Sequence, residues 1–332
     1  MDRDDGQASA AEGYGQTLML SLWHLLKTMR DSADLSYAEI TPLPALGRQM
    51  LVILRSGWGQ TFPALCALSG KDKAQISRAL RQLETIGYVT RDRPRGSLML
   101  TGAGRALADQ LTARAGARNE RLLEGIDRAG ITELHLVTDL LTQRANALYE
   151  EERLLAGDAA PPRDPREQYE RAGADQPRLP DDALILPRLI ALVAYAQRSR
   201  ALAAKRLVGM PAFDTMVLSF VAARAPCPQS SLIATLSRDQ SQAARTVRRL
   251  IADGLIVRNP ESTRRAVLLA PTAEGLRING VMAVEVARRN AYLGAAVSPD
   301  RLAGYRRMLA TLSENAAAIL SGMVRDRSGP AR

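Results

Sequence analysis

Two stretches of the sequence carry glutamine and arginine at matching positions on the polar face of a predicted helix. They read "KDKAQISRALRQLETIGYVTR" at 71–91 and "RDQSQAARTVRRLIADGLIVR" at 238–258. The polar positions are Gln75, Arg78 and Gln82, then Gln242, Arg245 and Arg249, with Arg81 and Arg248 at the flanks. Gln and Arg side chains make paired hydrogen bonds to adenine and guanine edges when a helix lies in the major groove. The chemistry predicted is recognition of base edges, twice in one chain.

The apolar residues of each stretch predict the helix that positions those side chains. They recur at i, i+4 and i+7, which gives one buried face opposite the polar face. The two sets are Ile76, Leu80 and Leu83, and Ala243, Val247 and Leu250. Asp72 and Asp239 open sequences that resemble capping boxes, so both helices are expected to begin at the same relative place. Gly87 and Gly254 are expected to end them, because glycine adopts a left-handed turn readily.

The two stretches belong to a longer internal duplication. Aligning 44–91 with 211–258 without gaps, at an offset of 167, gives 12 identities in 48 pairs, against roughly four from composition. The identical residues of the first copy are Pro44, Ala45, Leu51, Leu65, Ala67, Asp72, Gln75, Arg78, Arg81, Leu83, Gly87 and Arg91. A match of this length predicts a duplicated domain.

The sequence predicts two domains joined by a linker. Residues 156–182 contain five prolines and few apolar residues, which is typical of a linker, so the predicted domains are 1–155 and 183–325. Each is predicted to contain a long helix, a second helix from a Pro-Ala pair, a short helix, the polar-faced helix, two short strands and two long helices. The predicted positions are Tyr14–Met29 and Leu184–Leu207 for the first helices, Phe62–Leu68 and Ser230–Leu236 for the short ones, and Ser298 as the cap of the last helix.

Composition and charge favour a mostly helical protein with an anionic partner. The 332 residues are 46% apolar and only 4% aromatic, and the net charge is +10. Residues 70–96 and 237–265 each hold seven Lys or Arg against three acids, so most of the charge lies on the duplicated stretches. A matched basic surface predicts nucleic acid as the partner.

No membrane partner or secretory leader is expected. The polar start "MDRDDGQASAAEG" lacks a basic region followed by an apolar run, and "LMLSLWHLL" is too short to span a bilayer. Two cysteines in different contexts predict neither a disulfide framework nor a metal cluster. We therefore expect a cytoplasmic protein.

The order of short helix, turn, basic helix, strand and basic hairpin predicts a winged helix-turn-helix, present twice. "ISRALRQLETIGYVTR" followed by "LTGAG", and "ARTVRRLIADGLIVR" followed by "TAEG", resemble the recognition helix, strand and Thr-x-x-Gly helix entry of the MarR family of bacterial transcriptional regulators. The resemblance implies a mainly α fold with small β wings. It also implies dimers formed through terminal helices, with one recognition helix and one wing per subunit on DNA.

With both subunits fused, the resemblance implies an intramolecular pseudo-dimer through long terminal helices. The chain would act as a ligand-responsive repressor on a pseudo-palindromic operator in double-stranded DNA, as a single chain or as a further homodimer. The expected DNA contacts are Lys71, Lys73, Gln75, Arg78, Arg81, Gln82, Arg93, Arg95, Arg238, Gln242, Arg245, Arg248, Arg249, Arg264 and Arg265.

The wings depart from the family's Asp-x-Arg pattern. The first, "RDRPRGS", keeps Asp92, but its arginines fall at 93 and 95. The second is four residues longer and has Arg264 and Arg265 without an aspartate at the matching place. Arginine for a narrow minor groove is present in both wings.

The resemblance also implies a pocket for a small aromatic or phenolic effector between the dimer helices and the winged domain. Residues able to line it are Trp23, His24, Arg30, Tyr195 and Arg198. Ordinary packing between helices is the alternative for each of them.

Catalysis is not expected, since no nucleophile, carboxylate or metal-ligand constellation is present in the sequence, and no cofactor is implied. His24 and His135 lie in apolar helices, Cys66 reads as a small buried residue, and Cys227 reads as a loop residue. The competing function is an adaptor built from winged domains that no longer bind DNA.

Overall fold

Across the residues that the structure describes, the fold is mostly helical with two small antiparallel sheets, which confirms the predicted fold class at this level. It comes from a computed structural model, and the residues described are 18–55, 62, 65, 73–92, 96–157, 184–236, 240–260 and 267–328. The first copy contains α1 (Leu18–Ala38), α2 (Ala45–Arg55), α3 (Lys73–Ile86), β1 (Val89–Arg91), β2 (Leu98–Leu100), α4 (Gly102–Leu122) and α5 (Arg128–Leu155). The second contains α6 (Ile185–Val208), α7 (Ala212–Ala223), β3 (Cys227–Pro228), α8 (Gln229–Leu236), α9 (Gln240–Ala252), β4 (Ile256–Arg258), β5 (Leu268–Pro271), α10 (Ala273–Gly294) and α11 (Pro299–Ser328).

The long helices begin and end close to the predicted residues, with one exception. Helix α6 matches its prediction within one residue at each end, and α11 begins at Pro299, where the Ser298 hydroxyl accepts a hydrogen bond from the Arg301 backbone N–H at 3.4 Å. Helix α1 was predicted to end at Met29 but continues to Ala38. The polar residues that follow Met29 include Ser32, which is fully buried and donates its hydroxyl to the Met29 carbonyl at 3.0 Å, so they continue the helix.

Each copy encloses its own apolar core. In the first copy, α2, α3, α4 and the β1–β2 hairpin surround a cluster centred on Met50, Leu51 and Leu83, all fully buried. In the second copy, α7, α8, α9 and the sheet surround a cluster that includes Phe220 and Leu250, also fully buried. The short helix of the second copy, α8, lies where it was predicted, whereas only Phe62 and Leu65 of its counterpart are among the described residues.

Both sheets contain the antiparallel hairpin formed by the two strands that follow the polar-faced helix. In the first copy Val89 pairs with Leu100, and in the second Ile256 pairs with Pro271. The second sheet also contains β3, which pairs Cys227 with Leu269, whereas the equivalent residues of the first copy, 60–61, lie outside the described residues. Cys227 was predicted in a loop, but this pairing buries it completely.

The chain divides into two compact units, and each unit draws segments from both sequence halves. The first-copy unit takes Leu22–Leu136, Pro162–Ala191 and Ala303–Arg332, as far as these are described. The second-copy unit takes Met1–Ser21, Val137–Pro161 and Leu192–Leu302, with the same restriction. Helix α11 therefore packs largely with the first copy, and the C-terminal part of α5 packs with the second. The predicted linker, 156–182, lies almost wholly outside the described residues.

Hydrogen bonds within each unit join segments that are distant in the sequence. In the first-copy unit the Asn119 carboxamide oxygen accepts from the Ile185 backbone N–H at 3.0 Å, and the Asn315 carboxamide donates to the Leu122 carbonyl at 3.0 Å. In the second-copy unit Arg206 donates twice to Glu152, at 2.8 and 2.9 Å. These hydrogen bonds attach segments from one half of the sequence to the core of the other copy.

No single helix in the described ranges has both the length and the apolar character needed to cross a membrane. Helices α6 and α7 satisfy that test only when they are counted together, and they are bent by 79° relative to each other.

Candidate nucleic-acid interface

Helices α3 and α9 bury the faces that the sequence predicted. Ile76, Leu80 and Leu83 are fully buried in the first copy. Their counterparts Ala243, Val247 and Leu250 are exposed by 2% or less. The period-3.6 pattern therefore identified the inner face of both helices correctly, and it fixes which side chains point outward.

The opposite faces of α3 and α9 present exposed arginines. The exposed residues are Arg78, Arg81 and Gln82 on α3, and Arg245, Arg248 and Arg249 on α9, while Gln75 and Gln242 are half-buried. The flanking arginines match closely, because Nε of Arg81 donates to the Ser77 carbonyl and Nε of Arg248 donates to the Ala244 carbonyl, both at 3.4 Å. Each helix thus carries two outward guanidinium groups at equivalent positions, available to an anionic surface.

Both helices end in the same hydrogen-bonded turn. Gly87 and Gly254 have φ angles of 84° and 69°, in the left-handed region that glycine adopts most readily. The Tyr88 N–H bonds to the Leu83 carbonyl, and the Leu255 N–H bonds to the Leu250 carbonyl, both at 2.9 Å. These are Schellman motifs, as the two glycines predicted, and they set the angle at which each strand leaves its helix.

A threonine and a glycine lock each hairpin to the helix that follows it. The Thr101 hydroxyl donates to the Gly87 carbonyl at 2.7 Å and accepts from the Gly104 N–H at 3.1 Å. The Thr272 hydroxyl makes the equivalent bonds, at 2.7 Å to Gly254 and 3.0 Å from Gly275. We refer to this arrangement as the threonine–glycine joint.

The joint brings two backbones too close for any side chain at its glycine. A Cβ added to Gly104 would lie 1.9 Å from the Tyr88 carbonyl oxygen, and one added to Gly275 would lie 2.0 Å from that of Leu255. Because the offset between copies is 167 at the helix-ending glycines and 171 at the threonines, the four extra residues lie between them. This matches the longer second wing.

The second copy ties one of its interface arginines to a buried aspartate. Arg249 donates from Nε to Asp214 at 2.7 Å and from Nη2 to the other carboxylate oxygen. The Asp214 side chain is only 3% exposed, whereas that of Arg249 is 51% exposed. The hydrogen bonds to Asp214 raise the pKa of Arg249 above its ordinary value. The Arg249 guanidinium therefore remains charged and is held beside α7, at the edge of the outward face of α9.

The first copy lacks this ion pair and has a shallow depression in the same region. The positions equivalent to Asp214 and Arg249 are Gly47 and Gln82. Together with Gln75 and Arg78 they line a concavity of about 240 Å³. The two helix faces therefore differ in relief as well as in charge.

The first copy instead neutralises an arginine on its strand. Nε of Arg91 donates to the Glu84 carboxylate at 2.5 Å, and both side chains are about 30% exposed. The equivalent pair in the second copy is Arg258 and Ile251, so no carboxylate occupies that position and Arg258 is exposed. Each copy thus pairs one arginine of this surface with an acid, but at different positions.

Several predicted contact residues lie outside the described residues. They are Lys71, Arg93, Arg95, Arg238, Arg264 and Arg265, and the side chain of Lys73 is also outside them. Both predicted N-caps, Asp72 and Asp239, are outside as well. The contacts expected of the wings therefore stay predictions.

The residues predicted to line an effector pocket fall into two groups. Trp23, His24 and Arg30 lie on α1 in the first-copy unit, where the Trp23 and His24 rings meet edge to face with centroids 5.3 Å apart. Tyr195 and Arg198 lie on α6 in the second-copy unit, where the Tyr195 ring centroid is 6.1 Å from that of Tyr149. Their effector contacts stay predictions.

Cys227 has the environment of a structural cysteine. Its side chain is fully buried, and desolvation raises the pKa of its thiol despite the nearby Arg224. A thiol with a raised pKa is a poor nucleophile at neutral pH. Cys66 lies outside the described residues. Across the described ranges, no three His, Cys, Asp or Glu side chains group together as metal ligands.

Asp214 was not among the residues predicted for the candidate interface, although it holds Arg249 there. The signal was present in the alignment, because Gly47 and Gln82 in the first copy change together to Asp214 and Arg249 in the second. A paired change to opposite charges indicates contact between positions that are 35 residues apart.

The chain is similar to solved structures of transcription regulators over less than half of its length. No protein-family model and no curated protein matches the chain. A SlyA-like transcription regulator from Listeria monocytogenes is 20% identical over 44% of this chain and 95% of its own, with a TM-score of 0.36. A MarR family transcriptional regulator from the same organism, complexed with 26mer DNA, gives the same values. The PcaV transcriptional regulator from Streptomyces coelicolor, in complex with its natural ligand, is 26% identical over 37% of this chain and 90% of its own, with a TM-score of 0.32.

Proposed function

We propose that the chain is a sequence-specific DNA-binding transcriptional regulator that reads DNA with α3 and α9. The observation that carries the proposal is the repeated pair of exposed arginines, Arg78 with Arg81 and Arg245 with Arg248. Each pair lies on a helix that ends in the same turn and is followed by the same threonine–glycine joint. Two matched basic faces on one chain favour a polyanionic partner that offers two equivalent binding sites. Duplex DNA with paired half-sites is such a partner.

The proposed architecture is a covalent pseudo-dimer, in which one chain supplies both halves of a symmetric regulator. The reciprocal exchange of segments supports it, because α11 belongs largely to the first-copy unit and the end of α5 to the second-copy unit. Exchange of terminal helices is how two subunits build a shared dimer interface. We expect a monomer at micromolar concentration, measured by light scattering. A stable dimer of chains would give four winged domains and contradict this architecture.

The proposed role is a cytoplasmic repressor on a pseudo-palindromic operator, responsive to a small anionic effector. Two recognition helices that enter successive major grooves on one face of the duplex require half-site centres about 34–36 Å apart. The unlike faces of α3 and α9 favour unlike half-sites.

The experiment begins with selection of bound duplexes from a random pool, followed by footprinting of the best site. We expect one footprint with two half-sites about one helical turn apart. Affinity for that site should fall steeply as salt rises, because each neutralised phosphate contributes a slope of about −0.9 in log K against log salt. Absence of retained duplex at low salt would overturn the proposal.

An adaptor protein is the second candidate, and the ion pair between Asp214 and Arg249 favours it. A buried carboxylate occupies donors of an arginine that faces the proposed DNA surface, which weakens the second copy as a reading surface. In an adaptor, DNA affinity would be negligible even at low salt, and the same selection therefore separates the two candidates.

A further inference from the structure

The concavity beside α3 lies among the side chains that are proposed to read bases. Its α3 side is one stripe of the helix, spaced i, i+3, i+4 and i+7 and formed by Gln75, Arg78, Ala79 and Gln82. Three of these four residues are proposed base contacts. We refer to this concavity as the α3 depression. A base edge that meets the three polar side chains also meets the α3 depression.

The α3 depression has an apolar floor and a polar rim. Pro44, Leu46 and Gly47 line it from the start of α2, and Ala79 lines it from α3. Gly47 and Ala79 are buried, whereas the longer polar side chains of the stripe are exposed or half-buried. A polar group that reached this floor would lose water without gaining a hydrogen bond there. The floor therefore favours an apolar group.

The size of the α3 depression suits a group that protrudes from a larger partner. Its volume of about 240 Å³ lies below the roughly 300–1,000 Å³ of pockets that enclose a separate small molecule. The apolar group that base pairs present in the major groove is the C5-methyl group of thymine.

The polar rim of the α3 depression favours the same base pair. Gln75 and Gln82 lie at the two ends of the stripe, and glutamine is the side chain that makes paired hydrogen bonds to adenine. The partner of adenine in the duplex is thymine. A glutamine that reads adenine therefore brings a thymine methyl group of the same base pair close to the apolar floor.

The equivalent stripe of the second copy carries larger side chains. Pro211, Gln242 and Arg245 repeat the first-copy residues at the offset of 167. The other four positions change to larger residues, from Leu46, Gly47, Ala79 and Gln82 to Phe213, Asp214, Thr246 and Arg249.

Three of those larger residues form a hydrogen-bonded group in the second copy. The Thr246 hydroxyl donates to Asp214 at 3.4 Å, and both residues are only 2% exposed. Arg249 donates to the same carboxylate at 2.7 Å. A methyl group placed against α9 would therefore meet an ion pair where the first copy offers glycine and alanine.

We propose that the α3 depression holds the C5-methyl group of a thymine, and that α9 has no equivalent site. The half-site read by α3 then requires thymine at one position, and the half-site read by α9 does not. Leu46, Gly47 and Ala79 thereby become specificity-determining residues. This inference rests on the proposed function, because it names the base that one of the two reading helices selects.

Replacement of thymine by deoxyuridine tests the inference, because it removes the methyl group and keeps the base pair. Fluorescence anisotropy of the full chain on the selected duplex would compare the two bases at each thymine in turn. The α3 half-site is the one in which base substitutions lose their effect in Arg78→Ala. We expect one position of that half-site at which deoxyuridine weakens binding about fourfold, the factor that burial of one methyl group contributes. Thymine and deoxyuridine placed at the equivalent position of the α9 half-site should bind equally.

Filling the α3 depression locates the methyl effect on the protein. Leu46→Phe combined with Ala79→Thr introduces two second-copy residues without adding charge, so thymine and deoxyuridine should become equivalent in the α3 half-site. Thr85→Ser is the control, because Thr85 is exposed on the same helix and does not line the depression. It should keep the preference for thymine. The comparison of bases on the unaltered chain needs no variant and decides the inference even if the double variant fails to fold.

The outcomes separate this inference from the proposed function. Specific binding in which no thymine of the α3 half-site can be distinguished from deoxyuridine overturns the inference and leaves the proposed function standing. A methyl effect that is equal in the two half-sites, or that persists in a folded Leu46→Phe/Ala79→Thr variant, also overturns it. Absence of specific duplex binding overturns the proposed function, and the inference with it.

Discussion

Helices α3 and α9 share their buried faces, their terminal turns and their threonine–glycine joints, and they differ where they face outward. In the second copy Asp214 holds Arg249 at the surface, whereas the first copy has Gly47 and Gln82 at those positions and a depression between them. In the first copy Glu84 holds Arg91, whereas Arg258 in the second copy has an isoleucine opposite. The two copies keep the same helix-ending turns and the same joints, whereas their outward side chains differ.

This difference separates residues that build the domain from residues that distinguish its copies. A Cβ added to the glycine of either joint would lie about 2 Å from a backbone carbonyl oxygen, so no other residue fits at these positions. Outward positions away from the joint and from the Asp214–Arg249 pair tolerate exchange, because surface substitutions away from such contacts usually change stability by less than about 0.5 kcal/mol. A chain that carries both copies can therefore change the outward side chains of one helix without changing those of the other.

The largest predicted effect concerns the shared joint. Gly104→Ala and Gly275→Ala each force a Cβ against a carbonyl oxygen, so we expect each to lower the free energy of unfolding by about 3 kcal/mol or more. Urea denaturation measures both. Gly102→Ala is the control, because no atom lies within 4 Å of an added Cβ there. If only one of these two substitutions lowered the free energy of unfolding, the two joints would not be equivalent.

The next effect concerns the ion pair that only the second copy has. Arg249→Gln introduces the first copy's residue and leaves the buried Asp214 without its main partner, so we expect a loss of about 2 kcal/mol in unfolding free energy. The reciprocal change, Gln82→Arg, meets Gly47 instead of an acid and should alter stability by less than about 0.5 kcal/mol. Equal effects of the two substitutions on urea denaturation would contradict the asymmetry.

The smallest effect concerns the strand arginine of the first copy. Glu84→Gln removes the partner of Arg91 and frees a positive charge for phosphate, so the slope of log affinity against log salt should steepen by up to about 0.9. Stability should change little, because partly exposed ion pairs contribute about 0–1 kcal/mol. Ile251→Gln, at the equivalent position of the second copy, is the control and should leave the slope unchanged.

Local patterns predicted the parts of the fold that depend on nearby residues. The buried sides of α3 and α9 follow from apolar spacing, and their ends follow from Gly87 and Gly254, because helix periodicity and left-handed turns are local properties. The end of α1 was predicted wrongly, because the helix continues past Met29 through polar residues such as Ser32, whose complete burial depends on contacts with other elements. Cys227 was predicted in a loop for a similar reason, because strand β3 exists only through its pairing with β5.

Contacts between distant segments were outside the reach of those patterns. The pairing of Asp214 with Arg249 joins two helices, and the pairing of Glu152 with Arg289 joins residues 137 positions apart. Comparison of the two copies can reveal some of these contacts, because charged residues that contact each other, such as Asp214 and Arg249, replace uncharged ones together.

Fluorescence anisotropy on the selected duplex tests most directly whether both helices read DNA. We expect Arg78→Ala and Arg245→Ala each to weaken specific binding by about 1–3 kcal/mol, and the double variant to lose roughly the sum, because the two contacts lie on separate half-sites. Circular dichroism should show an unchanged fold, since both side chains are exposed. Affinity unchanged in the double variant would contradict the assignment of α3 and α9 as the reading helices.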